Sequence, residues 1–135
     1  IEAKTQGIGL RYFELGDYSI PYGYSPVLLV DEERMPERQA QYTAFLQATK
    51  RGFLHAQKKP GDAVELLAPH VPERERERID LLEAQTFTNA HYGDEHTWGR
   101  MDPERVKQFA EWLNEKGIEQ NLKGISQVFS NALLQ

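Results

Sequence analysis

The chain has 135 residues, 39% hydrophobic and 27% charged, which is the composition of one globular domain or of a piece of a larger one. Its 21 acidic residues outnumber its 16 basic residues, and a net charge of -5 disfavours nucleic acid and anionic membranes as partners. The absence of cysteine excludes disulfides, thiolate catalysis and cysteine-based metal sites. No apolar run approaches the roughly 18 residues of a membrane span, and no signal peptide is visible. Ile1 is not an initiator residue, so we expect a fragment or a processed product.

Two short strands are predicted near the start of the chain. Residues 8–15 (IGLRYFEL) mix β-forming side chains with two charges and precede a turn at Gly16 and Asp17. Residues 27–30 (VLLV) are continuously apolar, which is typical of a strand buried on both faces of a parallel or mixed sheet. We therefore expect an α/β fold, with few strands at the start and about five helices after them.

The helices are predicted from apolar spacing and from proline and aspartate positions. An amphipathic helix is expected from Pro36 to about residue 57, and a second one over residues 63–68 after Pro60. A third opens at Pro72, and its alternating ERERER charges indicate a solvated face. Asp102 as N-cap and Pro103 predict a fourth helix that closes at residues 116–117, and a last helix is expected over residues 126–134.

Between the two predicted strands, residues 17–25 (DYSIPYGYS) form an aromatic connector. Prolines keep this stretch extended, and it carries Tyr18, Tyr22 and Tyr24, followed by Ser25. Two interpretations stay open: the tyrosines cap the end of a core strand, or some of them line a ligand cleft. Trp98, in the irregular segment 89–101, is a second aromatic candidate, although packing against the following helix explains it as well.

Other chemistries are disfavoured by their sequence context. The GYSPV fragment resembles part of a nucleophile elbow, but its strand follows the serine instead of preceding it. The HYGDEH segment, residues 91–96, has metal-ligand residue types, yet its histidines are five apart and no HExxH motif is present. No glycine-rich phosphate loop occurs. The sequence therefore predicts no catalytic residue, no metal ligand and no cofactor.

Several segments taken in order resemble one family. They are DYSIPYGYSPVLLV, FLQATKRGFLHAQKKPGDAVELL, PERERER, TWGRMDPERVKQFAEWLNEKGI and SQVFSNALL. The series, which extends over essentially the whole chain, is similar to the C-terminal half of the solute-binding proteins for thiamine-pyrimidine precursors, sulfonates and nitrate. That family also includes the fungal pyrimidine synthases of thiamine biosynthesis.

The resemblance implies a two-lobed periplasmic-binding-protein fold that closes on its ligand by hinge motion. Residues 1–16 would end the second lobe, residues 17–25 would be the hinge crossover, and residues 26–135 would form the C-terminal helical part of the first lobe. Tyr22, Tyr24 and Ser25 would lie near the cleft, with Tyr18 and Trp98 as further candidates. The N-terminal half of the family pattern, which supplies much of the ligand contact, is not in this sequence.

The expected function is therefore the substrate-binding component of an ABC importer, which passes a small nutrient to a membrane permease. The expected location is periplasmic or extracytoplasmic, either free or as a membrane-anchored lipoprotein. A thiamine-pyrimidine synthase on the same fold is the alternative within the family. A standalone helical interaction module is the alternative outside it. A half-protein is also expected to expose one lobe face, and therefore to dimerise or to exchange a structural element with a second copy by domain swapping.

Overall fold

The structure is a computed structural model that describes residues 1–121, 124 and 128–134. Six α-helices follow one another in the described residues: α1 Glu2–Thr5, α2 Met35–Lys58, α3 Pro60–Leu67, α4 Glu73–Arg76, α5 Leu81–Asn89 and α6 Pro103–Glu115. Three single 3-10 turns lie between them, at Leu15–Tyr18, Glu32–Arg34 and Ala68–His70.

The expected α/β fold is wrong for the part of the chain that the structure describes, which contains helices and no strand. Residues 8–14 and 27–30, predicted as strands, have no regular structure. Val27 to Val30, predicted to be buried on both faces, are 43% to 89% exposed. The apolar run is real, but a strand exists only where a neighbouring strand accepts and donates its backbone hydrogen bonds. No such neighbour is present among the described residues.

Several helix predictions are confirmed. The long helix runs from Met35 to Lys58, and Pro60 opens the next helix directly. α6 begins where the cap signal places it, because the side chain of Asp102 accepts a hydrogen bond from the backbone N–H of Glu104 and Pro103 follows. It ends at Glu115, and Gly117 follows the C-cap Lys116 with a φ of 69°, a left-handed conformation that glycine adopts without strain.

Two helix predictions differ from the structure. The single helix expected after Pro72 is divided into α4 and α5, because Asp80 accepts a hydrogen bond from the N–H of Glu83 and starts a new helix there. For the last predicted helix, Ser126 and Gln127 lie outside the described residues, and residues 128–134 are not helical.

Contacts divide the chain into two compact units. Unit 1 comprises Ile1–Arg11 and Phe45–Gly99, and unit 2 comprises Tyr12–Ala44 and Arg100–Gln135. The boundary falls inside α2, and the predicted division into residues 1–16, 17–25 and 26–135 stays a prediction.

Unit 1 is held by a polar network around Asn89, one of only two buried residues among those described. The Asn89 side chain donates to the carbonyl of Ala56 and accepts from the amide of Gln85, at 3.2 and 2.7 Å. The amide of Gln57 donates to the carbonyls of Asn89 and Gly93, at 3.1 and 3.0 Å. The network joins the end of α2 to α5 and to the segment after α5, while α3 packs on α5.

The N-terminal segment belongs to unit 1 through ion pairs with residues near and in α5. Glu2 pairs with Arg78, and the Lys4 ammonium lies 2.6 Å from a carboxylate oxygen of Glu83. The hydrogen bond and the charge of Glu83 raise the pKa of Lys4. All four side chains are partly exposed to water, which screens the charges, so each pair adds little to stability.

In unit 2, α6 supplies the buried residue, Ala110. The segment before α6 is fixed by two hydrogen bonds with one side chain: the N–H of Met101 donates to Asn131, and Asn131 donates back to the carbonyl of Met101, at 3.0 and 2.8 Å. No helix in the described residues is long and apolar enough to cross a membrane.

Candidate functional site

The tyrosine connector, residues 17–25, packs on the first turns of α6. The phenolic oxygen of Tyr24 accepts a hydrogen bond of 2.8 Å from the backbone N–H of Asp102, the N-cap of the helix. Three residues further on, the Arg105 guanidinium lies over the Tyr24 ring, with its carbon 4.6 Å from the ring centroid. The Nε of Arg105 donates to the carbonyl of Tyr22 at 3.0 Å. Arg105 therefore contacts the connector at two points.

Gly23, between the two tyrosines, allows this close approach. A Cβ at Gly23 would lie 3.1 Å from Cδ1 and 3.2 Å from Cε1 of Phe109, closer than carbon atoms normally pack. Phe109 stacks in turn with Trp112, at 6.3 Å between ring centroids and 13° between ring planes. The connector backbone thus lies against an aromatic pair on α6, which any larger side chain at Gly23 would push away.

An open groove of about 420 Å³ lies within unit 2, between the start of the connector and α6. Its lining consists of Gly16, Ser19, Ile20, Pro21, Gln108, Glu111, Trp112 and Glu115. Ser19 has a φ of 53°, which is rare for a residue other than glycine, asparagine or aspartate. Glu111 lies 3.9 Å from the Lys107 ammonium, so one of the two carboxylates is partly neutralised. The groove offers a ligand an indole, an amide and carboxylate oxygens.

The predicted site residues are placed as follows. Tyr22 and Tyr24 lie together beside Arg105, with Tyr22 55% exposed and Tyr24 half-buried. Tyr18 is also exposed and meets Phe13 edge to face at 5.7 Å. Ser25 is exposed next to Pro26, and the peptide bond between them is cis. These four residues belong to unit 2, and their role in ligand binding stays a prediction.

Trp98 belongs to unit 1. Its ring lies 5.6 Å from that of Phe53, and Phe53 also meets Tyr92 edge to face at 4.6 Å. Packing of this kind is the alternative that the sequence left open for Trp98. The ring is nevertheless only half-buried, so its predicted part in ligand binding stays a prediction as well.

The HYGDEH segment forms a turn around Asp94. Its carboxylate accepts hydrogen bonds from the Thr97 hydroxyl and from the backbone N–H groups of His96 and Thr97, at 2.8 to 2.9 Å. The Thr97 hydroxyl contributes most to lowering the pKa of Asp94, followed by the two N–H groups. Among the described residues, no group of three or more His, Asp or Glu side chains could hold a metal ion.

Arg105 is the residue of this region that the sequence did not indicate. In the sequence it is one more charge on the polar side of α6, and the Tyr22 carbonyl to which it donates is 83 residues away. A cation–π contact leaves no local periodicity or spacing that could reveal it. Only the position of Asp102 and Pro103, which fix the first turn of α6, brings Arg105 within reach of the connector.

Comparison with known proteins relates the first part of the chain to a family. The family described as "NMT1/THI5 like" matches residues 1–63, which include the tyrosine connector and α2. No curated protein and no solved structure matches the chain. The resemblance to the thiamine-pyrimidine, sulfonate and nitrate binding family is thereby confirmed over residues 1–63, and over the remaining residues it stays a prediction.

Proposed function

We propose that the chain is part of the substrate-binding component of an ABC importer, because residues 1–63 match the family described as "NMT1/THI5 like". Its ligand is a small nutrient, a thiamine-pyrimidine precursor, a sulfonate or a similar molecule. The family match carries this proposal, since it covers the whole tyrosine connector.

The arrangement on α6 supports binding as the activity. Tyr22 is exposed, Tyr24 is oriented by the Asp102 N–H and by Arg105, and the groove beside the connector has an indole and polar groups in its lining. Ligand sites are commonly concave and aromatic, with a few polar groups that fix orientation. One face of the Tyr24 ring carries the guanidinium, so Tyr22 and Tyr18 are the rings we assign to stacking on the ligand. Ser25 provides a hydroxyl beside them, and Trp98 is a weaker candidate in unit 1.

In this proposal the protein works outside the cytoplasm and passes its ligand to a membrane permease. The family includes both solute-binding proteins and thiamine-pyrimidine synthases. The proposed role is therefore tested against the synthase as the alternative. Dimerisation or swapping of this chain also stays a prediction, which analytical ultracentrifugation measures directly.

Thermal-shift screening of the chain against pyrimidines, sulfonates and nitrate tests the proposal. We expect one of these classes to raise the melting temperature, because a ligand that binds only the folded state stabilises it by mass action. Tyr22→Ala should abolish most of that shift. Tyr42→Ala, which removes a ring from α2, is the matched control. Absence of any shift with the original chain would contradict the proposal, and covalent turnover of an added pyrimidine would favour the synthase.

A further inference from the structure

We propose that Arg105 is an anion-recognition residue: its guanidinium binds the sulfonate, carboxylate or phosphate group of the ligand at the tyrosine connector. The inference rests on the proposed binding function and deepens it by assigning a charge preference to one side chain. The comparisons match residues 1–63 and so do not reach Arg105.

The Arg105 guanidinium is held in position by two contacts with the connector. Its carbon lies over the Tyr24 ring, 4.6 Å from the ring centroid, and its Nε donates to the Tyr22 carbonyl at 3.0 Å. Two contacts at different points of one planar group restrict its rotation. A long side chain that is already ordered loses less entropy when a ligand binds than a freely rotating one does.

Arg105 has further hydrogen-bond donors besides the Nε that binds the Tyr22 carbonyl. Nη1 and Nη2 of Arg105 make no hydrogen bond, and the side chain has no ion pair, within the part of the chain that the structure describes. Arg34 and Arg78, by contrast, lie beside the carboxylates of Asp31 and Glu2. Both partners of Arg105 are uncharged: a carbonyl and a phenol ring. Its positive charge is therefore held in place without being neutralised.

The remaining donors of the Arg105 guanidinium are chemically complementary to an oxyanion. Paired N–H groups of a guanidinium match two oxygens of a carboxylate, sulfonate or phosphate, and such charge-assisted bonds are stronger than neutral ones. The phenol of Tyr22 and the hydroxyl of Ser25 lie on the connector that Arg105 contacts, and both residues are exposed. A small ligand with an oxyanion and a flat body fits these groups better than a cation does. The carboxylates of Glu111 and Glu115 belong to the groove further along α6, whose lining does not include Arg105.

Calorimetric titration with two probes tests the inference. Benzenesulfonate carries the anion, and benzenesulfonamide is its neutral counterpart of nearly the same shape. We expect the original chain to bind the sulfonate more tightly. Arg105→Gln should weaken sulfonate binding by about tenfold or more, the loss of one charge-assisted pair, and leave sulfonamide binding unchanged. Arg105→Lys keeps the charge but lacks the paired N–H groups of the guanidinium, so its sulfonate affinity should lie between those of the original chain and Arg105→Gln.

Arg38→Gln is the matched control, since it removes an equal charge from another exposed arginine of unit 2, on α2. It should leave both titrations unchanged. If Arg105→Gln weakened sulfonate and sulfonamide binding equally, Arg105 would only stabilise the structure of the site, and the inference would be overturned. An equal effect of Arg38→Gln would overturn it too, because it would show attraction by net charge alone.

The salt dependence of the original chain gives a test that needs no variant. Added sodium chloride should weaken sulfonate binding and leave sulfonamide binding unchanged, because salt screens only the charged pair; equal effects on both probes would overturn the inference. Competition by inorganic phosphate and by acetate then shows which oxyanion is preferred. If neutral pyrimidines bind while sulfonate does not, the inference fails and the proposed function stands. If no probe and no pyrimidine binds, both fail.

Discussion

The two aromatic segments of the chain are held in different ways. In unit 1, Trp98 and Tyr92 pack on Phe53, and the amide groups beside them are used by the Asn89 network. In unit 2, the tyrosine connector lies on α6 through Arg105, which keeps its Nη groups available. The first arrangement satisfies its polar groups internally, whereas in the second the Nη groups of Arg105 have no hydrogen-bond partner among the described residues. The difference between the two segments therefore lies in their polar groups and not in their aromatic rings.

The largest stability effect is expected from the network in unit 1. Asn89→Ala removes a buried amide, leaves the Ala56 carbonyl without the hydrogen bond from Asn89 and leaves the Gln85 amide with only the Tyr92 hydroxyl, so it should cost about 2–3 kcal/mol. Hydrogen exchange should become faster in α5 and not in α6. Gln47→Ala, at an exposed position of α2, is the control. Faster exchange in both helices would show that the two units are not separately stabilised.

The next effect concerns the connector. Gly23→Ala places a Cβ 3.1 Å from the Phe109 ring, and should cost about 1–2 kcal/mol because an overpacked contact forces side chains to move. Gly16→Ala is the matched control, since a Cβ there meets nothing within 4 Å. Chemical denaturation measures both variants. Equal midpoints would show that the connector does not pack on α6.

A smaller effect is expected at the helix caps. Asp102→Ala removes the side chain that accepts from the Glu104 N–H, and should cost about 1 kcal/mol. Asp80→Ala makes the same change at the start of α5. Hydrogen exchange should locate the first loss in the first turn of α6 and the second in that of α5. Exchange that increases in the same helix for both variants would contradict this assignment.

The smallest effect is the pH dependence of the Asp94 turn. A carboxyl whose pKa is lowered in the folded chain stabilises the fold above its ordinary pKa, and the stabilisation is lost as the pH falls through the lowered value. Thr97→Ala should raise the Asp94 pKa toward 3.8, because the Thr97 hydroxyl is the largest cause of the shift. Thr97→Ser keeps a hydroxyl and should leave it low. Carboxyl NMR titration measures the change, and an unshifted pKa in Thr97→Ala would refute the assigned cause.

Local signals in the sequence were sufficient for some elements and not for others. Asp102, Pro103 and Gly117 act on their own neighbours, so the bounds of α6 could be predicted. The apolar run from Val27 to Val30 predicts a strand only if another strand is available, and this is not a local property. The prediction of one continuous helix after Pro72 was also wrong. The apolar spacing there fits one uninterrupted helix, but Asp80 caps α5 and starts a second helix.

The candidate site shows the same division. Tyr22 and Tyr24 could be selected from the sequence, because aromatic residues next to prolines and a glycine are visible as a pattern. Their partner could not, because the link from Arg105 to Tyr22 joins residues far apart in the chain and leaves no periodic trace. The ordered resemblance of the segments pointed to a family whose model matches residues 1–63, and beyond residue 63 the resemblance stays a prediction.

The most direct test of the central claim is an NMR titration of the labelled chain with benzenesulfonate. The account predicts shifts in the ring signals of Tyr22 and Tyr24 and in the Nε–H of Arg105, larger than any change at Asn89. Unchanged signals at Tyr22, Tyr24 and Arg105, with binding seen elsewhere or not at all, would contradict the claim that the connector and α6 form the ligand site.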